Sequence, residues 1–164
     1  MAALLSAGCA AKPEYLRKPF PAPPRIAVLP FSNLTNSVEA PVFLRRLAAE
    51  GLARGGYSVA PAGEVDSRLR DLGITDGGQL ASKSPAEVAA ALGGAALFYG
   101  EVREFSHVTL GFYRKRAVVL AGSIRGADGT ESWRHAAGAV RSEFNPRALG
   151  DAGELGRSLG WQLA

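Results

Sequence analysis

Cys9 is the single cysteine of the chain, and small residues stand directly in front of it. A short apolar stretch ends in Ala7 and Gly8, immediately before the thiol. This pattern is typical of a lipobox, at which a peptidase cuts before the cysteine and acyl chains such as palmitate are attached to it. We therefore predict that Cys9 is a lipidation site that anchors the chain to a bilayer.

The leader in front of Cys9 departs from the usual pattern in two ways. Ser6 stands where such sites more often have leucine, and no Lys or Arg precedes the cysteine. A secretory signal needs a basic segment and roughly 7–15 apolar residues. We therefore interpret residues 1–8 as the remnant of a signal peptide that begins upstream; the alternative is an unmodified cysteine in a tail. Ala10 is not aspartate, which favours the outer membrane by analogy with bacterial lipoproteins.

The other residues that could do chemistry are not grouped as an active site. The two histidines, His107 and His135, have no metal-ligand spacing. Residues 122–126 superficially resemble a nucleophile elbow, but their spacing is wrong and they lead into a hairpin rather than a helix. His135, close to Trp133, is more typical of a packed sheet residue. We predict no catalytic residue, no metal and no cofactor.

Length and composition fit one folded domain with a tail. The chain has 164 residues, of which 47% are hydrophobic and 21% charged, as in an ordinary globular domain. No apolar run reaches the ~18 residues of a membrane-spanning helix. The net charge is +4, but the densest basic groups, residues 45–46 and 114–116, are short. Such groups favour a solvated face, so we expect no nucleic-acid partner.

Prolines divide the tail from the domain. Five of the ten prolines fall within residues 13–24. Because proline fixes φ and lacks an N–H, we predict that residues 9–24, the lipidated cysteine included, form an extended linker. At about 3.1 Å per residue, it could hold a domain roughly 45 Å from its anchor. An ordinary disordered terminus is the alternative.

From residue 25 onward, the apolar pattern predicts alternating strands and helices. Residues 25–31 are apolar on both faces, as in a buried strand, and a short strand follows at residues 57–60. Ser84 and Glu87 have the spacing of a capping box. Helices are predicted over residues 38–54, where Leu44, Leu47, Ala48 and Leu52 recur at helical spacing, and over residues 64–72 and 85–92.

The second half of the chain has the period of strands. Asp128 and Gly129 predict a hairpin turn. The fold class is therefore α+β (α/β-like), a mixed sheet with helices on its faces. Strands are predicted over residues 95–105, 108–113, 115–125 and 130–141. The whole domain is predicted to span residues 25–145, and a C-terminal helix is predicted over residues 146–164.

Phe112, Tyr113 and Arg114 form a candidate interaction surface at the end of the predicted strand 108–113. An exposed edge strand there could pair with a second copy or with another protein. An edge that is covered by the rest of the fold is the other possibility.

Three segments, in this order and behind a lipobox, resemble one group of bacterial proteins: residues 26–31 with Asn33 and Thr35, the strand 97–102, and the hairpin 128–133. The chain is similar to a family of outer-membrane lipoproteins of unknown function that includes a meningococcal surface lipoprotein. Their core is similar to the TolB N-terminal domain and to the periplasmic domains of CsgG and LpoB. The resemblance implies a TolB N-terminal-domain-like fold, frequent self-association and no established catalytic residue.

Together these features predict a lipid-anchored binding or adaptor protein on the periplasmic side of the outer membrane, and not an enzyme. Its partners would be outer-membrane lipid, through Cys9, and either a second copy or another envelope protein. Two other functions stay open: an accessory component of an envelope transport or secretion system, and a hydrolase with an unrecognised site.

Overall fold

A computed structural model of the chain describes residues 12–20, 22–110 and 113–144. The described residues form one seven-stranded mixed sheet with helices on both faces, which confirms the predicted α+β class. The strands are β1 (Glu14–Tyr15), β2 (Arg25–Val28), β3 (Ser32–Asn33), β4 (Ser58–Val59), β5 (Ala96–Leu110), β6 (Tyr113–Arg125) and β7 (Glu131–Phe144). The helices are α1 (Ala40–Arg54), α2 (Ala62–Asp71), the 3₁₀ helix (Gly77–Ser82) and α3 (Pro85–Ala91).

The order of strands across the sheet reflects how each pair is connected. The order is β1-β7-β6-β5-β2-β4, and β3 also pairs with β5. β2 is parallel to both β4 and β5, since helices connect these strands along the chain. β5, β6 and β7 are antiparallel, and β1 returns antiparallel to the outer side of β7.

The core has two layers, one on each face of the sheet. The first layer lies under α2, the 3₁₀ helix and α3, and the second lies under α1. β2 serves both layers: Ala27 belongs to the first, and Ile26 and Val28 belong to the second. This confirms the prediction that the opening strand is apolar on both faces.

Two local signals in the sequence are confirmed atom by atom. The Ser84 Oγ accepts a hydrogen bond from the Glu87 N–H at 3.3 Å, and the Glu87 carboxylate accepts one from the Ser84 N–H at 2.8 Å, which completes the capping box. In the hairpin between β6 and β7, Gly129 has φ +79°, a conformation that glycine adopts without strain. The Asp128 carboxylate accepts a hydrogen bond from the Thr130 N–H at 2.9 Å.

β5 is one long strand where the sequence predicts two. The predicted interruption at Ser106 and His107 is wrong, because both residues stay in register with β6. The real irregularity is a bulge between Val102 and Glu104. Since a bulge bends and twists a strand without ending it, β5 turns there and continues to Leu110.

Part of the predicted linker is bound to the sheet. Glu14 and Tyr15 pair with Arg134 and Trp133, and the Leu16 N–H donates to the Ser132 carbonyl at 2.9 Å. The chain segment before residue 25 therefore contributes an edge strand. Cys9, Phe112 and the helix predicted over residues 146–164 lie outside the described residues.

Candidate functional site

Three strands project beyond the rest of the sheet as one arm. The pairing of β3 with β5 ends at Val102, and the pairing of β1 with β7 ends at Arg134. We define the β-arm as residues 104–110, 113–119 and 138–144, which pair with one another in register. Within the described residues, β5 and β7 each have β6 as their only neighbour in the β-arm, so both outer edges are open.

One face of the β-arm is apolar and exposed. Leu110, Tyr113 and Phe144 form a row across the three strands, and Leu110 and Phe144 are 56% and 60% exposed. Val108 and Val140 lie on the same face and are also exposed. Contiguous exposed apolar side chains of this kind mark binding surfaces in soluble domains.

The opposite face of the β-arm is basic. His107, Arg116 and Arg141 stand side by side across the three strands. Arg141 has an ion pair with Glu143 at 2.9 Å, whereas Arg116 has none among the described residues. The two faces therefore differ, because the alternation of each strand puts Leu110, Tyr113 and Phe144 on one face and His107, Arg116 and Arg141 on the other. The division is incomplete: Lys115 lies on the apolar face, and Phe105 and Val118, which pack on the second core layer, lie on the basic one.

The structure separates two of the residues that were predicted to form one surface. Tyr113 lies on the apolar face, between Leu110 and Phe144, and Arg114 lies on the basic face, between Thr109 and Glu143. Their predicted position on an edge strand is wrong, because β6 is the central strand of the β-arm. The edges belong to β5 and β7.

Exposed apolar side chains also lie on and beside α1. Leu34, Val38, Val42, Phe43 and Leu47 are all exposed there, but they do not form one patch. Val38 and Val42 line a groove with Arg45 and Asp66, whereas the Arg46 guanidinium lies 5.7 Å from the centre of the Phe43 ring. Val38 and Val42 are 87% and 74% exposed, whereas Ala40 and Leu44 on the inner side of α1 are buried. Leu47, which the helical spacing grouped with Leu44, thus faces solvent.

The sheet face that carries α2 and α3 also has a polar groove of about 560 Å³ beside the 3₁₀ helix. The Arg125 guanidinium lies 5.0 Å from the centre of the Tyr99 ring and 3.5 Å from the Glu131 carboxylate. Burial raises the pKa of the Tyr99 phenol, and the positive charge of Arg125 opposes that rise. The groove therefore combines a stacked cation with a partly buried hydroxyl.

The groove lacks a paired nucleophile and base. Ser123 pairs with Arg134, and His135 pairs with Gly122; both residues line the groove, but the alternation of β7 puts the His135 ring on the face opposite the Ser123 hydroxyl. There the His135 ring lies 6.0 Å from that of Trp133, which packs on the second core layer. This position agrees with the interpretation of His135 as a packed sheet residue. It also places the imidazole on the face of the sheet opposite the Ser123 hydroxyl.

Neither a metal centre nor a membrane span is found in the described part of the chain. No three His, Cys, Asp or Glu side chains there are grouped so that they could hold a metal ion. None of its helices has the length and apolar character that crossing a membrane requires. The predictions about metals, cofactors and catalysis stay predictions.

Comparisons with known proteins agree with this architecture. A family model described as "Putative lipoprotein GNA1162-like" matches residues 16–155. A search of curated proteins finds no match.

Three solved structures have the same fold. Lipoprotein GNA1162 from Neisseria meningitidis has a TM-score of 0.67 at 19% identity, covering 85% of this chain and 100% of that chain. The PelC dodecamer from Paraburkholderia phytofirmans has a TM-score of 0.53 at 19% identity, covering 81% of each chain. The LpoB C-terminal domain from Escherichia coli has a TM-score of 0.51 at 14% identity, covering 72% of this chain and 84% of that chain.

Proposed function

Because the chain belongs to the GNA1162-like family, we propose that it is a lipid-anchored adaptor of the bacterial cell envelope. In this proposal it sits on the periplasmic side of the outer membrane, is held there through Cys9, and binds further copies of itself or another envelope protein. It performs no catalysis.

The observation that carries this proposal is the β-arm. It presents an exposed apolar face and two open strand edges, which are the surfaces through which proteins associate. The fold is compatible with assembly, since PelC, which shares it, forms a dodecamer. Among the described residues, the groove offers ion pairs but no nucleophile beside a base, and this favours the adaptor over the hydrolase alternative.

The N-terminal segment sets how far the domain lies from the membrane in this proposal. Glu14 is fixed to the sheet by pairing with Arg134 and by an ion pair to its guanidinium at 2.7 Å. The five residue-to-residue steps from Cys9 to Glu14 can span at most about 18 Å when fully extended. The domain would therefore lie close to the bilayer, and not at the end of the long stalk that the prolines predict.

Membrane fractionation with mass spectrometry tests the anchor. The gene is expressed with its natural upstream sequence, as the unsubstituted chain, as Cys9→Ser and as Ala11→Ser, a neighbouring control that leaves the thiol in place. We expect acyl masses on the unsubstituted chain and on Ala11→Ser, both in the outer-membrane fraction, and Cys9→Ser in the soluble fraction. An unmodified Cys9 thiol in the natural product would overturn the proposal.

A further inference from the structure

We infer that the basic face of the β-arm binds an anionic lipid surface, which gives the domain a second contact with the bilayer that holds Cys9. This inference rests on the anchor in the proposed function and adds to it a site for the phosphate groups of lipid headgroups. The side chains that carry the site are Arg114, Arg116 and Arg141, which we call the arm arginines.

The positive charge of this face is only partly neutralised. Arg116 lies directly between His107 and Arg141 on the neighbouring strands, and like charges placed opposite one another destabilise a sheet. Among the described residues of the β-arm, Glu143 supplies the one carboxylate on this face, and it forms an ion pair with Arg141 at 2.9 Å. Neither Arg114 nor Arg116 has an ion pair in the described part of the chain. An anion from outside the chain would relieve the repulsion.

The arm arginines are accessible to such an anion. All three are exposed, and the Arg141 side chain is 79% exposed in spite of its ion pair. The covered part of this face reaches Phe105 and Val118, which pack on the second core layer, and the arm arginines lie beyond them. Guanidinium groups donate paired hydrogen bonds to phosphate oxygens, so a lipid phosphate is a ligand of matching charge and geometry.

The N-terminal segment runs toward the β-arm. β1 is antiparallel to β7, and Glu14 is the partner of Arg134. Traced backward from Glu14 to Cys9, the chain therefore leaves the sheet in the direction in which β7 continues into the β-arm. Lys12, which lines the groove together with Ala136, agrees with this direction. The anchor and the β-arm thus lie toward the same end of the domain.

The length of the tether matches the length of the β-arm. The strand from Arg134 to Arg141 is about 23 Å long, at about 3.3 Å per residue. The tether from Cys9 to Glu14 is at most about 18 Å long. A bilayer that holds acyl chains at Cys9 therefore lies within reach of the arm arginines. Because the tether keeps the local concentration of lipid high, the proximity favours lipid over an acidic protein as the partner of this face.

Vesicle binding tests the site separately from the anchor. The full chain is made with Cys9→Ser, so that no acyl chain contributes, and its folding is verified by circular dichroism. Cosedimentation gives its partition coefficient on vesicles of phosphatidylcholine alone and of phosphatidylcholine mixed with phosphatidylglycerol. Each arm arginine is replaced by glutamine, singly and all together. Arg70→Gln is the matched control, since Arg70 is an exposed arginine of α2 without an ion pair among the described residues.

We expect the parent chain to bind the mixed vesicles and not those of phosphatidylcholine alone. Each single substitution should lower the partition coefficient about fivefold and the triple substitution about a hundredfold, because each cation near an anionic surface contributes a similar increment. Arg70→Gln should change the coefficient by less than about twofold. Binding should also weaken as the sodium chloride concentration is raised, since salt screens the attraction.

The contrary results distinguish the site from the anchor. Equal binding of the parent chain to both kinds of vesicle, or equal losses in Arg116→Gln and Arg70→Gln, would overturn the site even where Cys9 carries acyl chains. The absence of binding to either kind of vesicle would also overturn it and would indicate an acidic protein as the partner of the arm arginines. If Cys9 is unmodified in the natural product but the triple variant loses vesicle binding, the anchor fails and the lipid site stands.

Discussion

Gly122 lies directly against the ring of Phe98, so close that a Cβ on Gly122 would stand 2.8 Å from the Phe98 Cζ. Across the strand pair, Gly100 is the partner of Gly122, and a Cβ there would overlap the ring of Phe31. Because the two glycines have no side chains, the aromatic rings of Phe31 and Phe98 can pack directly on the backbone of the sheet, a surface that we call the floor. Phe31 and Phe98 are 6.0 Å apart, and Phe98 is 6.3 Å from Trp133.

Gly122→Ala is therefore expected to destabilise the fold by about 1–3 kcal/mol, the usual cost of forcing an extra methyl group into a packed site. Equilibrium unfolding in urea measures the change. Gly63→Ala is the matched control, because a Cβ at Gly63 has no atom within 4 Å and the residue lies in the first turn of α2. That control should be neutral or slightly stabilising. Equal effects of the two substitutions would contradict the role assigned to the floor.

Trp133→Ala should destabilise the fold by about 2–3 kcal/mol, somewhat less than the ~3–5 kcal/mol typical of a fully buried ring. The ring packs on the second core layer, but it is only partly buried. Trp133→Phe, which keeps an aromatic contact with Phe98, should recover most of the loss. Denaturant midpoints of the three proteins decide the point, and an unchanged midpoint for Trp133→Ala would mean that the ring contributes no packing energy.

Features that depend on a few neighbouring residues could be predicted from the sequence. The Ser84 capping box and the turn at Gly129 each depend on the chemistry of adjacent residues. The strand around Ala27 is buried on both faces, and its continuous apolar run is sufficient to predict this. The predicted fold class follows from the order of such elements, because helices between strands favour parallel pairs and tight turns favour antiparallel ones.

The β-arm and the edge strand β1 depend on contacts that no local pattern contains. Glu14 pairs with Arg134, which lies 120 positions further along the sequence. The segment around Glu14 has the prolines and charges that are typical of a linker. Likewise Val140 and Phe144 read as an ordinary strand end, and only the register with Ala117 and Tyr113 places them on one exposed face. Pairing over such distances is set by the whole fold, so the sequence predicted a candidate surface at residues 112–114 but not the three-stranded arm or its two faces.

Ser84→Ala should destabilise the fold by about 1 kcal/mol, since α3 would lose the side chain that caps its N-terminus. Thermal unfolding at neutral pH measures this loss. Ser67→Ala, on the exposed side of α2, is the control and should not destabilise. If both substitutions have the same effect, the cap contributes nothing to stability.

The capping box also predicts how the stability of the fold changes at low pH. Hydrogen bonds from Ser84 lower the pKa of the Glu87 carboxyl below its ordinary value of 4.5. A lowered pKa in the folded state means that the contribution is present above the ordinary pKa and is lost as pH falls through the folded one. Stability should therefore decline below about pH 4.5 more steeply in the parent chain than in Glu87→Gln. An equal loss of stability in the two proteins as pH falls would contradict this.

Tyr99 should ionise above the ordinary tyrosine pKa of 10.0, because burial disfavours the phenolate. The guanidinium of Arg125, 5.0 Å from the ring centre, opposes that effect, so Arg125→Gln should raise the pKa of Tyr99 further. Ultraviolet titration of tyrosinate measures both, and subtracting the curve of Tyr99→Phe isolates this phenol. Arg103→Gln removes a different cation of the same groove, one already paired with Glu101 at 2.6 Å, and should leave the pKa of Tyr99 unchanged.

The raised pKa of Tyr99 also predicts how the stability of the fold changes at high pH. Since the folded pKa of Tyr99 lies above the unfolded one, its contribution is full below about pH 10.0 and is lost as pH rises through the folded pKa. Stability of the parent chain should therefore fall more steeply above that pH than stability of Tyr99→Phe, and Arg125→Gln should steepen the fall. A pKa of Tyr99 that stays unchanged in Arg125→Gln would mean that the cation does not act on the phenol across the groove.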